Sequence, residues 1–234
     1  MQPDAIRSFL VANTFIGGLP ADAVSRLMKV GHFKHYAKGT PLFERGDPAD
    51  SLLLVMTGRV KISNVTVDAR EVILNFLGTG DVIGEIASLD GGARTACAIA
   101  YEDTKLFQLY RRDLLPVLTQ HSEALLEIIH LLCEKLRATS ALVEDSLRDM
   151  RGRFAAGILR LANQHGRRTQ RGVEINLALN QRDLGNYLGL SRENTNRQIV
   201  KLVNEGVILA GDGVIIVVNE PALLALAERE SGQE

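Results

Sequence analysis

Asn180-Gln-Arg-Asp-Leu-Gly-Asn-Tyr-Leu-Gly-Leu-Ser-Arg-Glu-Asn-Thr-Asn-Arg-Gln-Ile199 carries its own punctuation. Asn180 suits a helix cap with Asp183 in the first turn, Gly189 permits a tight turn, and Ser191 suits the cap of a second helix. The stretch therefore reads as helix, turn, helix. At about 100° per residue, Thr195, Ile199 and Leu202 form the inward face of the second helix. Arg192, Glu193, Asn196 and Arg197 fall on a separate arc of roughly 140° near its N-terminal end, the end that enters the major groove in this motif. Arg can bond guanine O6 and N7 together while Glu accepts from cytosine N4, each good pair discriminating by roughly 1–3 kcal/mol. An isolated Arg-Glu pair on a helix would be a solvated ion pair; the caps, the turn and the hairpin that follows favour base contact. Gln181, Arg182, Ser191, Arg192, Glu193, Asn196 and Arg197 make up the candidate DNA-contacting set.

Working outward, Val207-Ile-Leu and Val214-Ile-Ile-Val-Val218 flank Gly211-Asp-Gly213, a strong hairpin signal that would supply the wing of a winged helix. Upstream, Phe154 to Gln164 reads as an amphipathic helix ending at Gly166, followed by a basic loop with Arg167, Arg168 and Arg171. Between about His121 and Met150 one long helix is expected, with Leu125, Ile129, Leu132, Leu136, Thr139, Val143, Ser146 and Met150 alternating four and three residues apart. With Glu127, Glu134, Lys135 and Arg137 on the flanks, this heptad seam favours pairing with an identical helix; a core helix packed within its own chain is the alternative.

From Gly39 to Leu109 the pattern is different. Short apolar runs, Ser51–Met56, Val60–Ile62, Val72–Leu77, Ala96–Ile99 and Leu106–Leu109, recur between glycines, which indicates a sandwich or barrel. Before it, Ala5 to Val30 reads as short helices, with Pro20-Ala-Asp-Ala as a start. The expected class is α+β: a β-roll or jelly-roll sensor over 1–120, a dimerisation helix and hinge over 121–150, and a winged helix-turn-helix over 151–234.

Composition limits the function. Residues 1–150 hold 16 Lys and Arg against 19 Asp and Glu, whereas residues 151–234 hold 11 against 9. The weakly basic C-terminal part permits a local nucleic-acid surface without the field of a nonspecific DNA binder. The start Met-Gln-Pro-Asp-Ala lacks a basic leader, and no apolar run approaches membrane-spanning length, so a cytoplasmic location is expected. Cys97 and Cys133 lack the spacing of a zinc or iron–sulfur site and are read as small buried side chains. No nucleophile–base pair, metal motif or phosphate-binding loop of an NTPase is present, and Asp81, Glu85 and Asp90 form no convincing acid cluster, which speaks against an enzyme.

Gly78-Thr-Gly-Asp-Val-Ile-Gly-Glu-Ile-Ala87, followed by Gly92-Ala-Arg-Thr-Ala96, sets a glycine-flanked carboxylate shortly before an Arg-Thr pair. Backbone N–H groups over Gly84, Glu85, Ile86 and Ala87 could receive an anion, Arg94 could neutralise it, and Glu85 could accept a ribose hydroxyl. The alternative is a buried structural ion pair between Glu85 and Arg94.

Taken in order, the glycine turns at 39, 46 and 58, Gly-Glu-Ile-Ala at 84–87, Arg-Thr-Ala at 94–96, the long helix, and Ser-Arg-Glu-Xaa-Xaa-Xaa-Arg at 191–197 resemble the CRP/FNR regulators over almost the whole chain. The resemblance implies a homodimeric transcription regulator that senses cyclic AMP or cyclic GMP, needs no covalent cofactor, binds palindromic double-stranded DNA and contacts RNA polymerase. It implies that Gly84, Glu85 and Ala87 cradle phosphate and ribose, that Arg94 holds the cyclic phosphate, and that Thr139 and Ser140 meet the purine across the dimer. Thr95 stands where the catabolite activator branch has Ser and leaves the base undecided. Asn196 replaces a Gly of that branch, while Arg192, Glu193 and Arg197 resemble readers of GTGA half-sites. The cysteine cluster of the oxygen-sensing branch is absent. His32, His35, His121, His130 and His165 include candidate haem ligands but read better as solvated or structural, and retention of Glu85 with Arg94 argues against a cyclic dinucleotide. A regulator with a vestigial pocket is a further alternative.

Overall fold

The computed structural model describes residues 3–13, 15–211 and 213–228. It divides into two compact units, Met1–Lys135 and Leu136–Glu234.

In the first unit, α1 (Pro3–Asn13), a short 3₁₀ turn (Phe15–Gly18) and α2 (Ala21–Val30) precede the strands, with Pro20 just before α2 at the N-cap, where it makes no side-chain cap. There follow β1 (His32–Tyr36), β2 (Pro41–Phe43), β3 (Ser51–Thr57), β4 (Val60–Val65), β5 (Glu71–Leu77), β6 (Val82–Ile83), the short helix α3 (Glu85–Asp90), β7 (Cys97–Ala100) and β8 (Thr104–Tyr110). They form two antiparallel sheets, ordered β1-β8-β3-β6 and β2-β7-β4-β5. This is the expected β-roll. Leu52 and Leu54 of β3 pack with Phe107 and Leu109 of β8 in a cluster that also takes in Val24, Leu114, Leu118, Ala124 and Ile128. Leu53 and Val55 point the other way, into a cluster with Val60, Leu77, Ile83, Ala98 and Leu106. Covered on both faces, β3 is apolar without alternation, the pattern expected of a doubly buried strand. Each such leucine contributes roughly 1.5–3 kcal/mol by leaving water.

The segment His-Phe-Lys-His-Tyr of β1 has no apolar run to mark it in the sequence, and it is an exposed edge strand that among the described residues pairs with β8 alone. Two helices follow, α4 (Arg111–Gln120) and the long α5 (Ser122–Leu147). The buried Ala124 and Ile128 of α5 cover the β-roll core, whereas Leu125, Ile129, Leu136 and Val143 of the heptad seam are exposed at 40%, 45%, 67% and 60%. α5 thus packs one apolar face on the β-roll core, with Leu132 of the seam half-buried against it, and leaves Leu125, Ile129, Leu136 and Val143 exposed.

The second unit contains the end of α5, then α6 (Met150–His165), β9 (Gly166–Thr169), β10 (Gly172–Ile175), α7 (Gln181–Leu188), α8 (Arg192–Asn204), β11 (Ile208–Gly211), β12 (Val214–Val217) and α9 (Glu220–Ala227). Its sheet runs β11-β12-β10-β9. The stretch read as a basic loop is instead the β9–β10 hairpin, with Arg168 opposite Val173 and Arg167 opposite Glu174. β9, Gly-Arg-Arg-Thr, has two adjacent arginines and no apolar residue, and β10 offers only Val173 and Ile175, too few to mark a strand in the sequence. The expected wing hairpin pairs Gly211 with Val214; Asp212 at its tip lies outside the described residues. Among the described residues no helix is long and apolar enough to cross a membrane. Cys97 and Cys133 are free and half-buried rather than buried.

Candidate functional site

In the first unit the chain between β6 and β7 builds a cavity of about 80 Å³, lined among others by Phe43, Gly84, Glu85, Ile86, Ala87, Arg94, Thr95 and Lys135. Gly84 sits at φ +78, the left-handed region that glycine tolerates, and caps α3. An added Cβ there would overlap Arg94 Nη1 and stand 3.0 Å from its Cζ. Backbone and guanidinium are therefore in direct apposition, which only glycine allows.

Arg94 is 7% exposed. Its Nη1 donates to the Gly84 carbonyl at 3.1 Å and its Nη2 to the Ser51 carbonyl at 2.7 Å, while the guanidinium lies 4.2 Å from the centre of the Phe43 ring. Its Nε is buried with no hydrogen-bond partner among the described residues. Burial pulls the Arg94 pKa below the ordinary guanidinium range, against the opposing pull of Asp50, Glu85 and Asp47. Arg nonetheless stays charged in proteins. The result is a desolvated cation with an unused donor, an environment suited to an anion.

Glu85 does not form the ion pair with Arg94 that the sequence left open. Its carboxylate meets Lys135 Nζ at 2.9 Å, and Lys135 also donates to the Val82 carbonyl at 2.8 Å. Lys135 reads in the sequence as a flank of the heptad seam; only the docking of α5 against the β-roll turns it into a site residue. Phe43 and Ser51 are likewise invisible as site residues in one dimension, since they sit far from Arg94 along the chain and carry no motif. Thr139 and Ser140 lie in the second unit, exposed on α5, and are not among the residues lining this cavity.

In the second unit the helix-turn-helix has the anticipated caps. Asn180 accepts from the Asp183 N–H at 2.8 Å and donates to its carboxylate at 2.7 Å, Gly189 turns the chain at φ +64, and Ser191 accepts from the Asn194 N–H at 3.2 Å. An added Cβ at Gly185 would stand 2.9 Å from the Leu190 carbonyl oxygen and 3.1 Å from Thr195 Oγ1, so α7 and α8 cross closely at that point. Thr195 and Leu202 are buried as expected; Gln198 joins them, and Ile199 is only half-buried. The register of the inward face is thus shifted slightly toward Gln198. Gln181, Arg182, Ser191, Arg192, Glu193, Asn196 and Arg197 are all exposed. Gln181 Nε2 lies 3.3 Å from Asn196 Oδ1, and Arg197 Nη2 lies 3.3 Å from Glu193 Oε1 across one helical turn. Both members of that pair are mostly exposed, so it is worth well under about 1 kcal/mol and leaves the side chains free to exchange partners.

A β-roll with an anion-suited cavity and a winged helix-turn-helix with an exposed polar reading face define a ligand-sensing, DNA-binding protein. Residues 33–121 match the Cyclic nucleotide-binding domain family and residues 152–226 the Crp-like helix-turn-helix domain family. The chain is 31% identical over 208 residues, 88% of its own length and 93% of the relative's, to the Cyclic AMP receptor protein of Thermus thermophilus. It is 28% identical over 201 residues, 85% of its length and 90% of the relative's, to the CRP-like cAMP-activated global transcriptional regulator of Mycobacterium tuberculosis. Its fold matches FixK2 from Bradyrhizobium japonicum with a TM-score of 0.74 at 23% identity, covering 86% of this chain and all of that one. The chain belongs to the CRP/FNR family of DNA-binding transcription regulators, and the relatives it resembles are regulators rather than enzymes.

Proposed function

We propose that the protein is a homodimeric regulator whose affinity for palindromic DNA is set by a cyclic mononucleotide, cyclic AMP or cyclic GMP, held at Gly84, Glu85, Ile86, Ala87, Arg94 and Thr95. The observation that carries the reading is the desolvated Arg94 with its unpartnered Nε, beside backbone that Gly84 keeps clear. The fit to a cyclic phosphate is chemical: a buried fork of N–H donors takes a doubly accepting monoanion better than a carboxylate already committed elsewhere. Glu85, acceptor-only when ionised, suits a sugar hydroxyl, and Lys135 holds it in place. The names of the Thermus and Mycobacterium relatives favour cyclic AMP; Thr95 leaves room for cyclic GMP.

A cavity of about 80 Å³ is well below the roughly 300 Å³ of a complete small-molecule site. It takes the phosphate and sugar and leaves the base outside, which is the part assigned to Thr139 and Ser140 of α5. The exposed seam of Leu125, Ile129, Leu136 and Val143 is the surface on which two long helices pair. Ligand binding beside Lys135, in the middle of α5, then favours one packing of those helices over another and shifts its population. Gln181, Arg182, Ser191, Arg192, Glu193, Asn196 and Arg197 supply the DNA contacts, with GTGA-like half-sites as the target. Family membership supports action in the cytoplasm and contact with RNA polymerase.

The reading is tested by calorimetric titration of the purified protein with cyclic AMP, cyclic GMP and cyclic di-GMP, with Arg94→Ala as control. Micromolar binding, about −8 kcal/mol, that vanishes in the control supports the reading and identifies the base. Binding of none of the three, or equal binding by the control, contradicts it.

A further inference from the structure

The end of α5 carries a buried charge that neither ligand binding nor base reading uses. Asp145 is only 8% exposed, a costly place for a carboxylate unless it is well partnered. Its Oδ1 meets Arg148 Nε at 3.0 Å, and its Oδ2 accepts from Arg160 Nη1 of α6. Arg160 reaches onward: its Nε donates to the Tyr187 hydroxyl of α7 at 2.8 Å, with the guanidinium 5.1 Å from the centre of the Tyr187 ring. Burial pushes the Tyr187 phenol pKa up, so the ring stays neutral and its oxygen remains an acceptor. Arg148 Nη1 donates to the Ala227 carbonyl at the end of α9. Beside this chain of contacts, Arg153 Nη2 donates to the Ser146 carbonyl at 2.7 Å while its Nη1 lies 3.5 Å from the carbonyl of Gly189, the turn residue between α7 and α8.

All these groups belong to the second unit, which includes the last three turns of α5. The α5–α6 junction itself is short, since only Arg148 and Asp149 separate the two helices. Without a tie, a two-residue joint leaves the helix-turn-helix able to swing about the end of α5. The contacts run from one side of that joint to the DNA-reading helices on the other, and although Arg153 Nε has no partner among the described residues, the Asp145–Arg160–Tyr187 contacts favour one arrangement of the elements they join.

We propose that Asp145 is a positioning residue, a latch that acts through Arg160 and Tyr187 to fix the orientation of the α7–α8 pair relative to the end of the long helix and so present α8 to DNA in one geometry. This rests on the DNA-binding reading but makes a claim of its own. A protein lacking the latch remains folded yet samples several orientations, and only the fraction in the competent one binds DNA.

The test places spin labels at Arg137→Cys on α5 and Lys201→Cys on α8, in full-length protein carrying Cys97→Ser and Cys133→Ser and diluted with unlabelled chain so that distances within one protomer are read. Asp145→Asn breaks the latch at its centre. Tyr187→Phe removes a single hydroxyl and guards against a fold too damaged to interpret. A narrow distance distribution is expected with Asp145 present and a broad one in both variants, at melting temperatures that still show a cooperative transition. DNA affinity should fall by about tenfold in Asp145→Asn if the competent fraction drops to about a tenth. An unchanged distribution in Asp145→Asn overturns the latch, as does a broadened distribution with DNA affinity intact. Failure of the labelled parent to bind DNA counts against the DNA reading, while the distance distributions still decide whether the latch exists.

Discussion

Gly84→Ala separates what the site demands of its backbone from what it demands of its charge. Gly84 and Gly39 both hold positive φ, +78 and +84. A Cβ at Gly39 would meet nothing within 4 Å, whereas one at Gly84 would overlap the Arg94 guanidinium. Each substitution incurs a left-handed backbone cost of roughly 1–2 kcal/mol. Gly84→Ala alone must also displace Arg94 from the Gly84 and Ser51 carbonyls, at 3.1 and 2.7 Å, and from the Phe43 ring. Hydrogen bonds involving a charged partner are worth about 1.5–3 kcal/mol each, so with the backbone cost included Gly84→Ala is expected to be roughly 4 kcal/mol or more less stable than wild type and Gly39→Ala roughly 1–2. The assay is chemical denaturation of both variants beside calorimetric titration with cyclic AMP and cyclic GMP. Both should weaken the fold, and only Gly84→Ala should weaken nucleotide binding, by about a hundredfold for about 2.7 kcal/mol of lost guanidinium contact. Equal nucleotide affinity in the two variants would refute the claim that Arg94, held against Gly84, is the anion site.

Other perturbations test other parts. Gly172 stands at φ +128, and a Cβ there would overlap the Val217 carbonyl oxygen and stand 3.0 Å from its carbon; Gly172→Ala should split β10 from β12 and cost about 3 kcal/mol or more, read as loss of DNA binding with nucleotide binding retained. Leu136→Glu with Val143→Glu places charge on side chains that are 67% and 60% exposed in one chain, so the folded protomer should persist while sedimentation equilibrium shifts from dimer to monomer; an unshifted dimer would contradict the seam. Glu193→Ala should relax base preference at one position of each half-site by roughly 1–3 kcal/mol, seen as near-equal binding of duplexes altered at that pair, with little change in stability because Glu193 is exposed.

The legibility of this protein in its sequence follows from where the constraints act. Asn180, Gly189 and Ser191 announce their helix ends because caps and left-handed turns are local requirements, satisfied within four residues. The runs in β3, β5 and β8 show their strands because all their residues but Thr57 and Lys105 are buried or half-buried. β1 and β9 carry no strand signal because their exposure lets charged and polar residues occupy positions that pairing alone fixes, and half-buried β10 carries none because Val173 and Ile175 are too short a pattern. Gly84 to Ala87 and Arg94 stand close in the chain and could be grouped on sight. The partner of Glu85 could not, since Lys135 arrives from a helix fifty residues away and its own neighbours mark it only as a flank of the seam. Asp145, Arg160 and Tyr187 form a network for the same reason without leaving any pattern in one dimension.

The coupling between nucleotide and DNA is measured directly by fluorescence anisotropy of a labelled palindromic GTGA duplex, with wild-type and Arg94→Ala protein titrated in the absence and presence of saturating cyclic AMP or cyclic GMP. One of the two nucleotides should change wild-type DNA affinity by about 5- to 150-fold and leave Arg94→Ala unmoved. Wild-type affinity that is the same with and without either nucleotide would contradict the account.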